Sequence, residues 1–170
     1  MKKEKKWVTL YLTQGGVIAA IYVVITILFQ AISFGPIQFR ISELLCVLPY
    51  FTPAAIPGLF IGCLVGNILG GAAIYDIIFG SLATLLGAIG SYAIRRWKPL
   101  VAVPPILANT LIIPLVLRYA YGMPDAIWYL MVTVGIGEVL AIGVLGTGLM
   151  YILDKNKYVL QFFTGLMSPR

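Results

Sequence analysis

Five short interruptions cut this chain into six apolar runs, and no other property constrains its fold so tightly. The runs cover residues 8–32, 41–51, 58–69, 74–94, 100–119 and 126–153. The breaks at 33–39, 52–57, 70–71, 95–99 and 121–125 are rich in glycine, proline and charge. About 20 apolar residues in a helix cross the ~30 Å hydrocarbon layer of a bilayer. Residues 41–51 and 58–69 are too short to cross comfortably alone, and a single re-entrant hairpin is their alternative reading. At 61% hydrophobic residues, a soluble domain would lack polar surface to cover itself. The predicted class is an all-α integral membrane protein of six transmembrane helices. It forms one domain: a basic N-terminus at 1–7, a helical bundle at 8–153 and a tail at 154–170. The Met-Lys-Lys-Glu-Lys-Lys start is like a signal-peptide n-region. The apolar segment behind it is too long for an h-region and lacks a clear Ala-x-Ala exit, so it reads as the first span.

Charge placement predicts the orientation. With the N-terminus in the cytoplasm, Lys2, Lys3, Lys5, Lys6, Arg95, Arg96, Lys98, Lys155, Lys157 and Arg170 fall inside. Only Arg40 and Arg118 fall outside, so ten of the twelve basic residues obey the positive-inside rule. Both termini are then cytoplasmic and the number of crossings is even. A nucleic-acid reading of the basic balance fails, because the cations are not interleaved with aromatics on a soluble face.

Against this background a few polar residues stand out. A charge at the bilayer centre costs roughly 2.5–3.5 kcal/mol on the insertion scale, so charges kept there need partners or a task. Arg40 and Glu43 open the second helix near the outer surface, at an i, i+3 spacing that allows them to pair. Asn67 lies near the outer end of the third helix. Tyr75 and Asp76 open the fourth, Asn109 is mid-depth in the fifth and Glu138 is mid-depth in the sixth. The group is expected to line one cavity in the outer half of the bundle. Each residue also has a plain structural reading: an interfacial ion pair for Arg40 and Glu43, a helix cap for Asp76, interhelical glue for Asn109. Glu138 is hardest to dismiss in this way, being far from either interface.

Gly58, Gly62, Gly66 and Gly70 recur every four residues along the third helix, a stripe that admits a close helix neighbour. Internal packing is its plain reading. Gly15 with Ala19, and Gly16 with Ala20, form a second small-residue stripe that can also dock a partner subunit. The chain has no histidine, no metal-ligand cluster around Cys46 and Cys63, no Walker A sequence and no catalytic triad. No cofactor and no enzymatic activity are expected. An inverted repeat is not evident, which argues against a secondary transporter. A polar pocket without an engine points to a capture subunit that relies on other proteins for energy. An intramembrane enzyme lacks its reactive constellation here, and a pore lacks its polar stripe.

The stretches ISFGPIQFRISE at 32–43, LPYFTPAAIPGLFIGC at 48–63, DIIFGSLATL at 76–85 and VGIGE at 134–138 resemble the QueT family. The resemblance runs from about residue 22 to 149. It implies the substrate-binding (S) component of an energy-coupling factor (ECF) transporter in a bacterial plasma membrane. It further implies six helices, uptake of a queuosine precursor of 7-deazaguanine type, and partnership with a transmembrane coupling subunit and two ATPase subunits. The family mechanism is toppling of the loaded subunit in the membrane. Docking in such S components uses an Ala-xxx-Ala face, matched here by Gly16 and Ala20 beside Gly15 and Ala19. An S component of the same fold for another vitamin-like molecule is the alternative.

The ligand chemistry then names roles. A guanine-like ring presents two adjacent N–H donors, which one carboxylate can accept as a charge-assisted pair. Glu138 is the preferred acceptor, with Glu43 as the other candidate. Asn67 and Asn109 suit the ring carbonyl and nitrogens, and Tyr75, Phe34 or Phe39 suit its face. Residues 33–39 are the expected lid, with Gly35 and Pro36 as its hinge and rigid point, and Arg40 with Glu43 ties it to the second helix.

Overall fold

The computed structural model of the chain describes residues 2–33 and 39–164. Every regular element among the described residues is helical. Helix α1 spans Lys2–Leu28 and is followed by a single turn, α2, at Gln30–Ser33. A 3-10 helix occupies Ile41–Tyr50. Then come α3 at Ala55–Leu69, α4 at Ile74–Ala93, α5 at Val103–Tyr119 and α6 at Ile127–Glu138. The last long helix continues from α6 through a π-helical stretch, Val139–Gly146, into α7 at Thr147–Lys155. A short α8 covers Lys157–Thr164.

Four helical segments are long and apolar enough to cross a membrane: Lys6–Leu28, Ile74–Ala93, Lys98–Tyr119 and Ile127–Lys155. Their outer faces are hydrocarbon. Leu28, Ile74, Leu86, Leu107 and Ile136 are all more than half exposed, as lipid-facing side chains should be. The two short runs predicted between the first and fourth spans form the 3-10 helix and α3. No residue of the 3-10 helix is exposed, and Ser42, Glu43 and Leu45–Pro49 are buried. This short helix lies at the centre of the bundle, packed against α1, α3, α4, α7 and the π-helical stretch.

Small residues let the surrounding helices close on that centre. A methyl group added at Gly58 would lie 2.7 Å from the Gly15 carbonyl oxygen, and one at Gly62 would lie 2.8 Å from Tyr22 Cβ. One at Gly66 would lie 3.3 Å from Thr26. The α3 glycine stripe is therefore the seat of α1, the internal packing role predicted for it. Across the bundle, Gly87 and Gly90 of α4 receive Pro105 and Pro104 of α5, each 2.6 Å from where a Cβ would stand. Gly146 gives the same close access to the Leu44 backbone of the 3-10 helix.

The segment 154–164, expected as a plain tail, folds back instead. Gln14 Nε2 donates to the Phe162 carbonyl at 2.5 Å, Thr52 donates to Gln14 Oε1 at 2.7 Å, and Phe163 stacks on Phe51. Lys98 pairs with Asp154 and lies over the Tyr151 ring. These contacts close the end of the bundle opposite Arg40. The amphipathic pattern of residues 157–164 is the sequence signal for this docked helix.

Candidate functional site

The polar residues gather where α1, α3 and α5 finish and reach inward to mid-bundle. Helix α4 supplies Asp76, Gly80 and Thr84 at four-residue spacing, so all three share one helical face. Arg40 precedes the 3-10 helix in extended conformation, at φ −91° and ψ 98°. Because it lies outside the helix, the i, i+3 geometry with Glu43 does not form. Arg40 Nη2 instead donates to both Asp76 oxygens, at 2.9 and 2.7 Å. The expected Arg40–Glu43 pair is thus replaced by a buried Arg40–Asp76 pair. The alternative of Asp76 as a helix cap fails too, since no side-chain cap bond is present at the start of α4.

Asp76 collects further partners. Tyr121, in the connection after α5, donates to Asp76 Oδ2 at 3.1 Å and accepts the Ala73 amide at 3.1 Å. Burial, reinforced by the neighbouring carboxylate, pushes the Tyr121 phenol above its ordinary range and keeps it a neutral donor. Asn67 donates to the Asp76 backbone carbonyl at 3.3 Å. Gly80 makes this crowding possible: a Cβ there would stand 2.9 Å from Asp76 Oδ1, 3.3 Å from Asn67 Nδ2 and 3.4 Å from Arg40 Nη1.

One turn deeper, Glu43 accepts from Tyr22 of α1, from Cys46 Sγ at 2.9 Å, from Thr84 at 3.4 Å and from Asn109 of α5 at 3.4 Å. Cys46 reaches it because a 3-10 helix eclipses residues three apart. Thr26 donates to Ser42 Oγ at 2.9 Å and anchors α1 beside this group. Glu138 completes the cluster. It ends α6 at the junction with the π-helical stretch, is 5% exposed, and lies within electrostatic range of Glu43 and beside Asn109. Its Oε2 is buried without a hydrogen-bond partner.

Six of the seven expected site residues, Arg40, Glu43, Asn67, Asp76, Asn109 and Glu138, are therefore buried in one neighbourhood. Tyr75 is not among them. It is 57% exposed and borders an apolar groove of about 750 Å³ between α4 and α5 on the outer face. A second groove, of about 590 Å³, lies at the opposite end beside Trp7 and Phe163. Of the expected lid, Phe34, Gly35 and Pro36 lie outside the described residues, while Phe39 packs partly buried against the core. Of the expected docking face, Gly15 and Ala19 are packed against α3. Gly16 and Ala20 are exposed, and a Cβ on Gly16 would touch nothing within 4 Å.

Sequence reasoning missed Tyr22, Cys46, Thr84 and Tyr121. The Asp76-xxx-Gly80-xxx-Thr84 and Tyr22-xxx-Thr26 spacings were available as signals for two of them. Tyr121 reaches Asp76 across 45 positions, and no local pattern announces that contact.

The sequence profile of the family described as QueT transporter matches residues 12–155, a stretch that holds the whole polar cluster. The chain belongs to the QueT transporter family. A protein named Queuosine precursor transporter QueT, from Lactococcus lactis subsp. cremoris (strain MG1363), is 39% identical over 101 residues. That match covers 58% of this chain and 57% of the relative, just over half of each. No solved structure matches the chain. The QueT motifs quoted from the sequence thus map onto the elements that build the cluster: the 3-10 helix, α3, the first half of α4 and the end of α6.

Proposed function

We propose that this QueT-family chain is the substrate-capturing subunit of an ECF-type importer in a bacterial plasma membrane. Its ligand is a queuosine precursor with a 7-deazaguanine ring. Glu138 carries this reading. A carboxyl group at the middle of an apolar 29-residue helix, with one oxygen unpartnered, is costly unless a ligand completes it. A guanine-like edge brings two adjacent N–H donors to that carboxylate, and the neighbouring Asn109 amide serves the ring polar atoms. The name of the Lactococcus relative supports the substrate class.

Six crossings follow if the 3-10 helix and α3 both traverse. At about 2.0 Å per residue the first is roughly 20 Å long, and at about 1.5 Å per residue the second is roughly 22 Å. The 3-10 helix, with no exposed residue, is shielded by its neighbours from the thickness mismatch with lipid. Both termini are then cytoplasmic and the Arg40 end faces outward. Two ATPase subunits and a coupling subunit provide the energy, and toppling delivers the ligand. Nanomolar capture corresponds to about −12 kcal/mol. Spread over about 13 heavy atoms this is roughly −0.9 kcal/mol per atom, under the ~−1.5 ceiling for small ligands.

Calorimetric titration of the purified protein with 7-cyano-7-deazaguanine, its aminomethyl analogue and guanine tests the assignment. At least one deazaguanine is expected to bind. Glu138→Gln should weaken it by about a hundredfold, the roughly 3 kcal/mol of a charge-assisted contact. If none of the three binds, the ligand class is wrong; unchanged affinity in Glu138→Gln moves the pairing role elsewhere. Docking is tested separately. Gly16→Leu fills an exposed helix face, so it should abolish co-purification with the coupling subunit and leave ligand binding by the isolated protein unchanged. Intact co-purification would remove this face from the interface.

A further inference from the structure

Two connections meet at the Arg40 end of the polar cluster: residues 70–73 between α3 and α4, and residues 120–126 between α5 and α6. Each is finished on its own helix. Gly71 and Gly122 take the left-handed conformation that commonly ends a helix, at φ 72° and 65°. The Gly71 and Ala72 amides return to the Ile68 and Asn67 carbonyls at 3.2 and 3.0 Å. The Tyr121 and Met123 amides return to the Val116 and Leu117 carbonyls at 3.3 and 3.2 Å, and Arg118 Nη1 braces the Met123 carbonyl at 2.7 Å.

One side chain joins the two. The Tyr121 hydroxyl accepts the Ala73 amide and donates to Asp76 Oδ2, each at 3.1 Å. Among the described residues it is the one hydrogen-bonded link between these connections. Asp76 Oδ2 also accepts from Arg40, so the phenol lies against the ion pair, with Glu43 and Cys46 one turn deeper. The Tyr121 ring is 42% exposed, so it can leave by side-chain rotation while both helices stay in place. Both turns are complete without this hydroxyl. What its two bonds add is closure of the surface over Arg40 and Asp76.

We infer that Tyr121 is a positioning residue that gates the cluster: its phenol clasps the two connections together, and its release sets the rate at which solutes reach the polar groups below. This rests on the capture reading above and adds where the site opens. One neutral hydrogen bond and one to a carboxylate favour the closed form by a factor of about ten to a hundred, so a small open fraction admits ligand. Loss of the hydroxyl raises the open fraction of free and loaded protein alike, so both rates rise and the affinity stays.

Tyr121→Phe keeps the ring and removes only the two bonds; Tyr119→Phe, 77% exposed and two positions away, is the control. Cys46 is buried beneath the clasp, so its modification by a small methanethiosulfonate reagent reads opening without any ligand. In the full-length purified protein, with the modified residue mapped by mass spectrometry, its rate should rise at least tenfold in Tyr121→Phe and keep the parent value in Tyr119→Phe. Stopped-flow binding of 7-cyano-7-deazaguanine and its aminomethyl analogue should show association and dissociation both accelerated at least fivefold, with Kd held within threefold. Unchanged modification of Cys46, or an equal rise in Tyr119→Phe, overturns the inference. Faster dissociation alone, with weaker binding, overturns it too, because a phenol that touched the ligand or only supported the fold would act that way. If neither deazaguanine binds, the capture reading fails, and the Cys46 rates still decide the clasp.

Discussion

Asp76→Asn is expected to destabilise the protein by roughly 3–5 kcal/mol, the scale for removing one partner of a buried ion pair. The Arg40 guanidinium would keep its charge at 5% exposure while its acceptor lost one oxygen and gained an amide donor. Tyr121 would lose the same acceptor, freeing the connection that closes α5 onto α4. The penalty comes from the stranded cation rather than from the worth of the pair. Replacing both partners by apolar residues, Arg40→Met with Asp76→Leu, should therefore recover most of the loss. Chemical unfolding of the detergent-solubilised protein, followed by tryptophan fluorescence, measures both. A loss below about 1 kcal/mol in Asp76→Asn would mean that water reaches the pair and screens it.

Gly62→Val should be comparably damaging, for a steric reason. The first atom of any side chain there stands 2.8 Å from Tyr22 Cβ and 3.1 Å from the Ala19 backbone, so α1 must move away. Overpacking typically costs about 1–3 kcal/mol, and more where backbone is in the way. That exceeds the ~1 kcal/mol that leaving glycine returns to helix propensity. The displacement pulls Tyr22 from Glu43 and Thr26 from Ser42, so loss of ligand binding should accompany loss of stability. Gly16→Ala, one helix face away with open space around it, serves as the control and should leave the melting temperature the same or a few degrees higher. A Gly62→Val protein that melts with the parent would show that α1 is not seated on the α3 stripe.

The parts of the fold legible in the chain were those encoded locally. Apolar runs and their breakers placed every long helix to within a few residues, apart from α1, which begins at Lys2 and ends at Leu28 rather than covering 8–32. Four-residue glycine spacing announced the α1–α3 contact. Buried polar residues in apolar runs flagged six members of the cluster, because charge and amide groups in hydrocarbon are costly wherever they face. Tyr75 was misplaced for the complementary reason: sequence position marks the depth of an aromatic residue, but only the rotation of its helix says whether it faces lipid or core.

Hydropathy and length established that this chain is a helical, lipid-bordered bundle with a handful of polar groups inside, since both are sums over neighbours along the chain. The partners of those groups were settled by packing in three dimensions. Arg40 meets Asp76 and not Glu43 because the backbone at Arg40 is extended, Gly80 leaves room for both side chains, and the central helix winds as a 3-10 turn. None of these three conditions has a signature within a few residues of Arg40.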